Sequence, residues 1–365
     1  MTEHVDNGIR FSIRLPQTYC TAGPQAMRDI AQAADELGLY GVSVQDHVIA
    51  DAALSSCAGL HNASGEDRDV YEALQTLAFV AGHTKNIKLI TGVLIVPFRN
   101  AVLLAKETAA LDVFSDGRLV VGVGVGAPRR GRIESGGNQD ISVHARVSDK
   151  EFATFNVRGH RGRITDETLQ AMEAIWTEDE ASFHGEHYDF DSLAVYPKPV
   201  QKPRPRFWIG GRSEAARRRA VDHAEGWIPS QISADMFREG VAWMRSYADE
   251  RDRPMPYDLG VNIFAALGGS DDEAHQYMVD GFGSRFSEEG LETLVISGGL
   301  DTFIVKTRRF VDAGVNVFDL KFVPITVDKT IEQMEVLVHE VVPALMSCPR
   351  DPEAGLDGVG IGRRV

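Results

Sequence analysis

The chain has 365 residues, 43% of them hydrophobic, enough for one large α/β domain or two smaller ones. Its 53 acidic residues outnumber its 38 basic ones, and the formal net charge of −15 argues against nucleic acid or an anionic membrane as the main partner. Cys20, Cys57 and Cys348 are far apart and show no CxxC spacing. Neither a disulfide framework nor a zinc site is expected, and a reducing, cytoplasmic setting is. No apolar run approaches the roughly 20 residues of a membrane span. The opening MTEHVDNGIRFSIRL lacks the uninterrupted apolar stretch of a signal peptide.

In chain order, Ile9 to Leu15 reads as a strand, and Pro24 opens a helix that Gly38 closes. Gly41 to Gln45 is a second strand, ending in Asp46 and His47, and a polar loop runs to about Asp69. Tyr71 to His83 is helical. Ile87 to Val96 and Leu119 to Val125 are apolar, β-branched runs joined by a helix over Ala101 to Phe114. Such strands are parallel and buried on both faces. The apolar rhythm stops from Ala127 to about Gly159, which reads as a lid-like insertion containing Arg129, Arg130, Arg132 and His144. Helix follows at Ile164 to Trp176, then a hairpin around HGEHYDF. Further strands are expected at Arg206 to Ile209, Gly226 to Pro229, Leu259 to Ala265 and Asn316 to Phe322, with helices between them and a closing helix to Met346.

Eight strands alternating with helices predict an α/β fold of the (β/α)8 TIM-barrel type, with insertions. One domain over 1–346 is expected, with its insertion at about 127–159 and a poorly ordered tail at 347–365. The alternative, a doubly wound sheet, lacks its glycine fingerprint after the first strand.

A barrel puts its site at the C-terminal strand ends. Asp46 and His47 end the second strand there. His47 is a candidate proton carrier, and Asp46 either orients it or caps a turn. Gly124 and Gly126 end the fourth strand, where alternating glycines either allow close packing or leave room for a flat ring. Gly210, Gly211, Arg212 and Ser213 lead from a strand into a helix. They are read either as an ordinary capped turn or as an anion site on free amides. His184 and His187 of HGEH have a metal-like spacing without an evident carboxylate partner, so no metal is expected.

The block TGVLIVPFRNAVLLAKETAALDVFSDGRLVVGVGVG resembles the third-to-fourth-strand region of the bacterial luciferase-like superfamily of flavin- and deazaflavin-dependent barrel oxidoreductases. The likeness extends to the stretch ending in QDH at His47, to RGRITDETLQAMEAIWTEDEASFHGEHYDF, to YPKPVQKPRPRFWIGGRSEAARRRAVDHAEGW and to FVDAGVNVFDLKF.

The resemblance implies a non-prolyl cis peptide at Gly92-Val93 beneath the cofactor ring, a ring- or substrate-contacting His47, and a cofactor phosphate on Gly210 and Gly211. It also implies a homodimer. Where some FMN-type members carry an Arg between the last two glycines of strand four, this chain has Val125. Where some deazaflavin dehydrogenases carry a Glu just after them, it has Ala127.

The expectation is a hydride-transferring oxidoreductase using coenzyme F420 on a small organic substrate. The alternatives are an FMN-dependent monooxygenase fed with reduced flavin by a partner reductase, and a flavin-binding barrel without catalysis.

Overall fold

The structure, a computed structural model, describes residues 8–18, 22–49, 69–127, 148–282, 288–323 and 326–347. The three cysteines, the basic residues Arg129, Arg130, Arg132 and His144, and the C-terminal tail lie outside the described residues.

Eight parallel strands close a barrel in the expected order: β1 (Arg10–Arg14), β2 (Gly41–Val44), β3 (Lys88–Thr91), β5 (Leu119–Gly124), β8 (Arg206–Ile209), β9 (Gly226–Trp227), β10 (Asp258–Leu267) and β12 (Val317–Phe322). Pairing of β10 with β9 at one flank and with β12 at the other completes the ring.

The third apolar run is one strand in two pieces. After β3 the chain breaks at Gly92-Val93 and resumes as β4 (Leu94–Ile95), which still pairs with β5. The hairpin is β6 (Ala181–His184) against β7 (Asp189–Leu193). One strand is unexpected, β11 (Val295–Gly298), which pairs with the last residues of β10. Its four residues are too short a run to stand out between two helices.

The helices include α1 (Pro24–Glu36), α2 (Ala73–Ala81), α3 (Ala101–Phe114), α4 (148–154), α5 (Arg161–Thr177) and α6 (Glu214–His223). Helix α4 lies inside the stretch read as irregular. The Asn100 side chain accepts the Val102 and Leu103 amides and so starts α3, while Ser213 accepts the Ala216 amide and starts α6. No described helix is long and apolar enough to cross a membrane.

Side chains alternate inward along each strand and fill the barrel in layers. Ile90, Val120, Trp208, Ile228 and Val317 form an apolar middle, with Tyr40 and Val93 packed on it. A charged layer lies on either side. Asp258 sits toward the strand starts, bonded to Arg10, and Asp319 toward the strand ends, bonded to Arg14.

Candidate active site

The Gly92-Val93 peptide is cis, as the resemblance implied. The Gly92 amide donates to the Val44 carbonyl at 2.7 Å, and its carbonyl accepts from the Arg14 guanidinium at 2.7 Å. Arg14 in turn pairs with Asp319 at 3.0 Å. Asp319 is fully buried and satisfied: Ser43 Oγ donates at 2.6 Å, Ser12 Oγ at 3.2 Å, and the Asn262 amide donates to its other oxygen. A Cβ on Gly92 would lie 3.0 Å from Arg14 Nη2 and 3.2 Å from Asp319 Oδ2, so a side chain there would crowd this pair.

The alternating glycines of β5 serve packing. A Cβ at Gly122 would strike the Thr91 carbonyl, and one at Gly124 would lie 2.6 Å from Val93 Cγ2. At Gly210 a Cβ would meet both Val93 methyls at 3.1 Å. The space over Gly124 is therefore filled by Val93, which is the close-packing alternative of the two. Gly126 has φ +79°, and Phe152 of α4 packs where its Cβ would stand, 2.7 Å from the ring edge. Val93, Gly124 and Gly210 thus meet in one place.

Asp46 does not orient His47. Its carboxylate takes the Arg99 guanidinium in a bidentate pair at 2.5 and 2.9 Å, and the Ile95 amide at 2.7 Å. It fastens the segment that follows the cis peptide. Burial alone would weaken the charge on Arg99, but its hydrogen bonds to Asp46 and Glu72, and their negative charge, outweigh it and keep the guanidinium protonated.

The partner of His47 is Glu151, a residue sequence reasoning passed over. His47 Nδ1 lies 3.1 Å from Glu151 Oε2, and Oε1 accepts the amides of Val48 at 2.7 Å and Ile49 at 3.2 Å. Burial pushes the Glu151 carboxyl up; the bonds from His47 and the two amides pull it further down, so it stays below the usual glutamate range. Val44 pairs with Thr91, so the segments bearing His47 and Gly92 leave the barrel on adjacent strands.

Across the mouth, the Gly210 amide is spent on the Val123 carbonyl. Gly211 has φ +102° and accepts the Trp227 indole N–H at 2.9 Å. Arg212 donates to the Gln231 carbonyl at 2.6 Å, and Ser213 caps α6. Among the described residues no acceptor takes the amides of Gly211, Arg212 or Ser213.

Residues 7–298 match the family model for luciferase-like monooxygenases. The chain belongs to this family. It is 28% identical over 218 residues to an FMNH2-dependent dimethylsulfone monooxygenase of Pseudomonas putida, covering 57% of this chain and 55% of that one. It is 28% identical over 196 residues to an F420-dependent glucose-6-phosphate dehydrogenase of Amycolatopsis mediterranei, covering 53% and 50%. The chain therefore spans about half the length of these curated relatives. In fold it is similar to the coenzyme F420-dependent tetrahydromethanopterin reductase of Methanopyrus kandleri, with TM-score 0.71, 16% identity and coverage of 92% and 99%. Monooxygenase RslO1 of Streptomyces bottropensis is similar at TM-score 0.70 and 19% identity, covering 92% and 99%.

A phosphate-bearing cofactor fits this luciferase-like site: the unengaged amides before α6 are a donor set for an anion. The residues missed from sequence, Arg14, Ser43, Glu151, Asn262 and Asp319, had one usable signal. Arg14 and Asp319 are charges within barrel strands, where a charge is seldom buried unless paired, and Asp319 has an apolar neighbour on each side in VFDLKF. At HGEH, the structure brings one distant carboxylate, Glu167 of α5, to Glu186 and His187 of the motif. Ligating atoms of Glu167, Glu186 and His187 lie within 4.8 Å of one another, and Glu167 accepts the His187 amide at 2.7 Å.

Proposed function

We propose that this protein is an oxidoreductase that passes a hydride between coenzyme F420 and a small organic substrate at the C-terminal mouth of the barrel. The observation that carries the reading is the set of unengaged amides before α6, together with His47 on the strand next to the Gly92-Val93 segment that Arg14 grips from inside the barrel. The amides of Gly211, Arg212 and Ser213 would hold the cofactor phosphate, and Gly92-Val93 would support its ring. When bound, the deazaflavin supplies the hydride chemistry. His47 takes or returns the proton of the substrate's reacting oxygen. Asp46 is committed to Arg99, so its carboxylate is not available to compete for that proton. Val125 supports F420 over FMN, and Ala127 argues against a sugar-phosphate substrate.

FMN-dependent monooxygenation, with reduced flavin from a partner reductase, is the second reading. The similarity to the Pseudomonas putida enzyme favours it. Titrating the protein with F420 and with FMN while following fluorescence quenching separates the two. F420 is expected to bind and to be reduced or oxidised with substrate, and the His47→Ala variant is expected to bind it without turnover. FMN binding with oxygen consumption supports the second reading; binding without any turnover leaves a non-catalytic barrel, and no binding of either cofactor overturns the proposal.

The same reading includes a homodimer, supported by Leu103 and Phe114, which α3 leaves 56% and 73% exposed. Light scattering that returned only the 40.0 kDa monomer would exclude it.

A further inference from the structure

We infer that Glu151 is a positioning residue that fixes the tautomer of His47, holding the proton on Nδ1 and making Nε2 the nitrogen that exchanges a proton with substrate. The inference rests on the reading of His47 as the proton-handling group.

Three facts carry it. First, Glu151 is fully buried, and both of its oxygens accept: Oε1 takes the Val48 and Ile49 amides, and Oε2 faces His47 Nδ1. A buried carboxylate that accepts two backbone N–H groups is ionised, and an ionised carboxylate only accepts. The hydrogen between Glu151 and His47 therefore belongs to Nδ1, and in the neutral ring the lone pair belongs to Nε2. Second, the adjacent carboxylate cannot take this role, because Asp46 is committed to Arg99 and the Ile95 amide.

Third, Glu151 is held in place. Its neighbour Phe152 packs on Gly126 and lies 4.7 Å, ring to ring, from Phe98, while the Arg161 guanidinium covers the Phe152 ring. Phe98 itself belongs to the turn that follows β4. The cis-peptide segment and the His47 loop are therefore tied to one short helix. An imidazole locked by a buried carboxylate is presented in one orientation, and a proton transfer depends on that orientation.

The test uses nitrogen-15 NMR of the full chain without cofactor, with His47 assigned by comparison with the His47→Gln spectrum. The wild-type neutral ring is expected to show a protonated Nδ1 and a lone-pair Nε2. Glu151→Gln keeps an oxygen for the two amides but offers an N–H to the ring, so it is expected to move the proton to Nε2. A wild-type ring protonated on Nε2 overturns the inference and needs no variant. So does a Glu151→Gln spectrum unchanged from wild type.

In turnover, Glu151→Gln is expected to lower kcat by about 10²-fold or more with little change in KM. A purely structural loss would scatter across both constants. If the tautomer is as expected but His47→Ala turns over normally, the functional reading fails while the assignment of Glu151 to the Nδ1 proton stands.

Discussion

The barrel buries an aspartate near each end, and the two are used differently. Toward the strand starts, Asp258 accepts from Arg10 at 2.6 Å and from the Trp208 indole at 2.8 Å, with Arg206 at 3.6 Å. Arg10 lies over the Tyr40 ring, and Arg206 over the Tyr257 ring. Burial, with the charge of Asp258 beside it, pushes the Tyr40 hydroxyl up to about 12. Arg10 and Arg206 there both end on Asp258, a side chain of the same layer. Toward the strand ends, Asp319 collects Ser12, Ser43, Asn262 and Arg14, but Arg14 has a further partner, the carbonyl of the cis peptide. One layer is a plug; the other is a support whose outermost donor grips the candidate site. A buried ion pair is by itself weak support for stability. What distinguishes these two is where their last hydrogen bond goes.

Removing each aspartate should separate the roles most strongly. Asp319→Ala leaves Arg14 buried without its partner and should cost about 3–5 kcal/mol in chemical denaturation. Among molecules that remain folded, affinity for the proposed cofactor should also fall, because Gly92 loses its fixed support. Asp258→Ala should cost less, about 1–3 kcal/mol, since Arg10 and Arg206 can turn to water, and cofactor affinity should be unchanged. If Asp258→Ala weakened cofactor binding as much as Asp319→Ala, the distinction between the ends would collapse.

Two glycines give a gentler version of the same contrast. Gly226→Ala drives a methyl into the Trp208 ring, and Gly124→Ala drives one into Val93. Each should cost about 1–3 kcal/mol by overpacking. Only Gly124→Ala should also weaken cofactor binding several-fold, a difference that titration of both variants would read directly.

The strand order was legible in the sequence because it depends on local pattern, whereas the plug was not, since Arg10 meets Asp258 across 248 positions. Long β-branched runs, Pro24 in the first turn of α1 and Ser213 before α6 each announce an element from neighbouring residues. The Gly92-Val93 position and His47 were legible through resemblance. The support layer was not, because its contacts span the chain: Arg14 meets Asp319 across 305 positions, and Glu151 meets His47 across 104. Glu151 was further hidden in a polar stretch whose helix, 148–154, is announced chiefly by Phe152. Asp46 was misread because adjacency to His47 in sequence does not put their side chains together, and Arg99 claims it instead. The alternating glycines were ambiguous until Val93 was seen to fill them.

The smallest effect expected is also the sharpest comparison of loop anchors at the two ends. Asp35 accepts the amides of Lys85, Asn86 and Ile87 just before β3, as Glu151 accepts those of Val48 and Ile49 just after β2. Burial raises both carboxyls, and the hydrogen bonds more than reverse it, so both lie below their ordinary values of 3.8 and 4.5. A carboxyl lowered in the folded state stabilises above its ordinary value, and that contribution is lost as pH falls through the lower folded one. Melting temperature should therefore be insensitive to these groups near neutrality and fall in acid, from below 4.5 for Glu151 and from below 3.8 for Asp35. Glu151→Gln and Asp35→Asn should each flatten that acid limb, because neither replacement titrates. The difference is expected in a second measurement: Asp35→Asn should leave the His47 nitrogen signals untouched, and Glu151→Gln should not. Equal effects on His47 from both variants would mean that Glu151 acts on it only through general loosening of the fold.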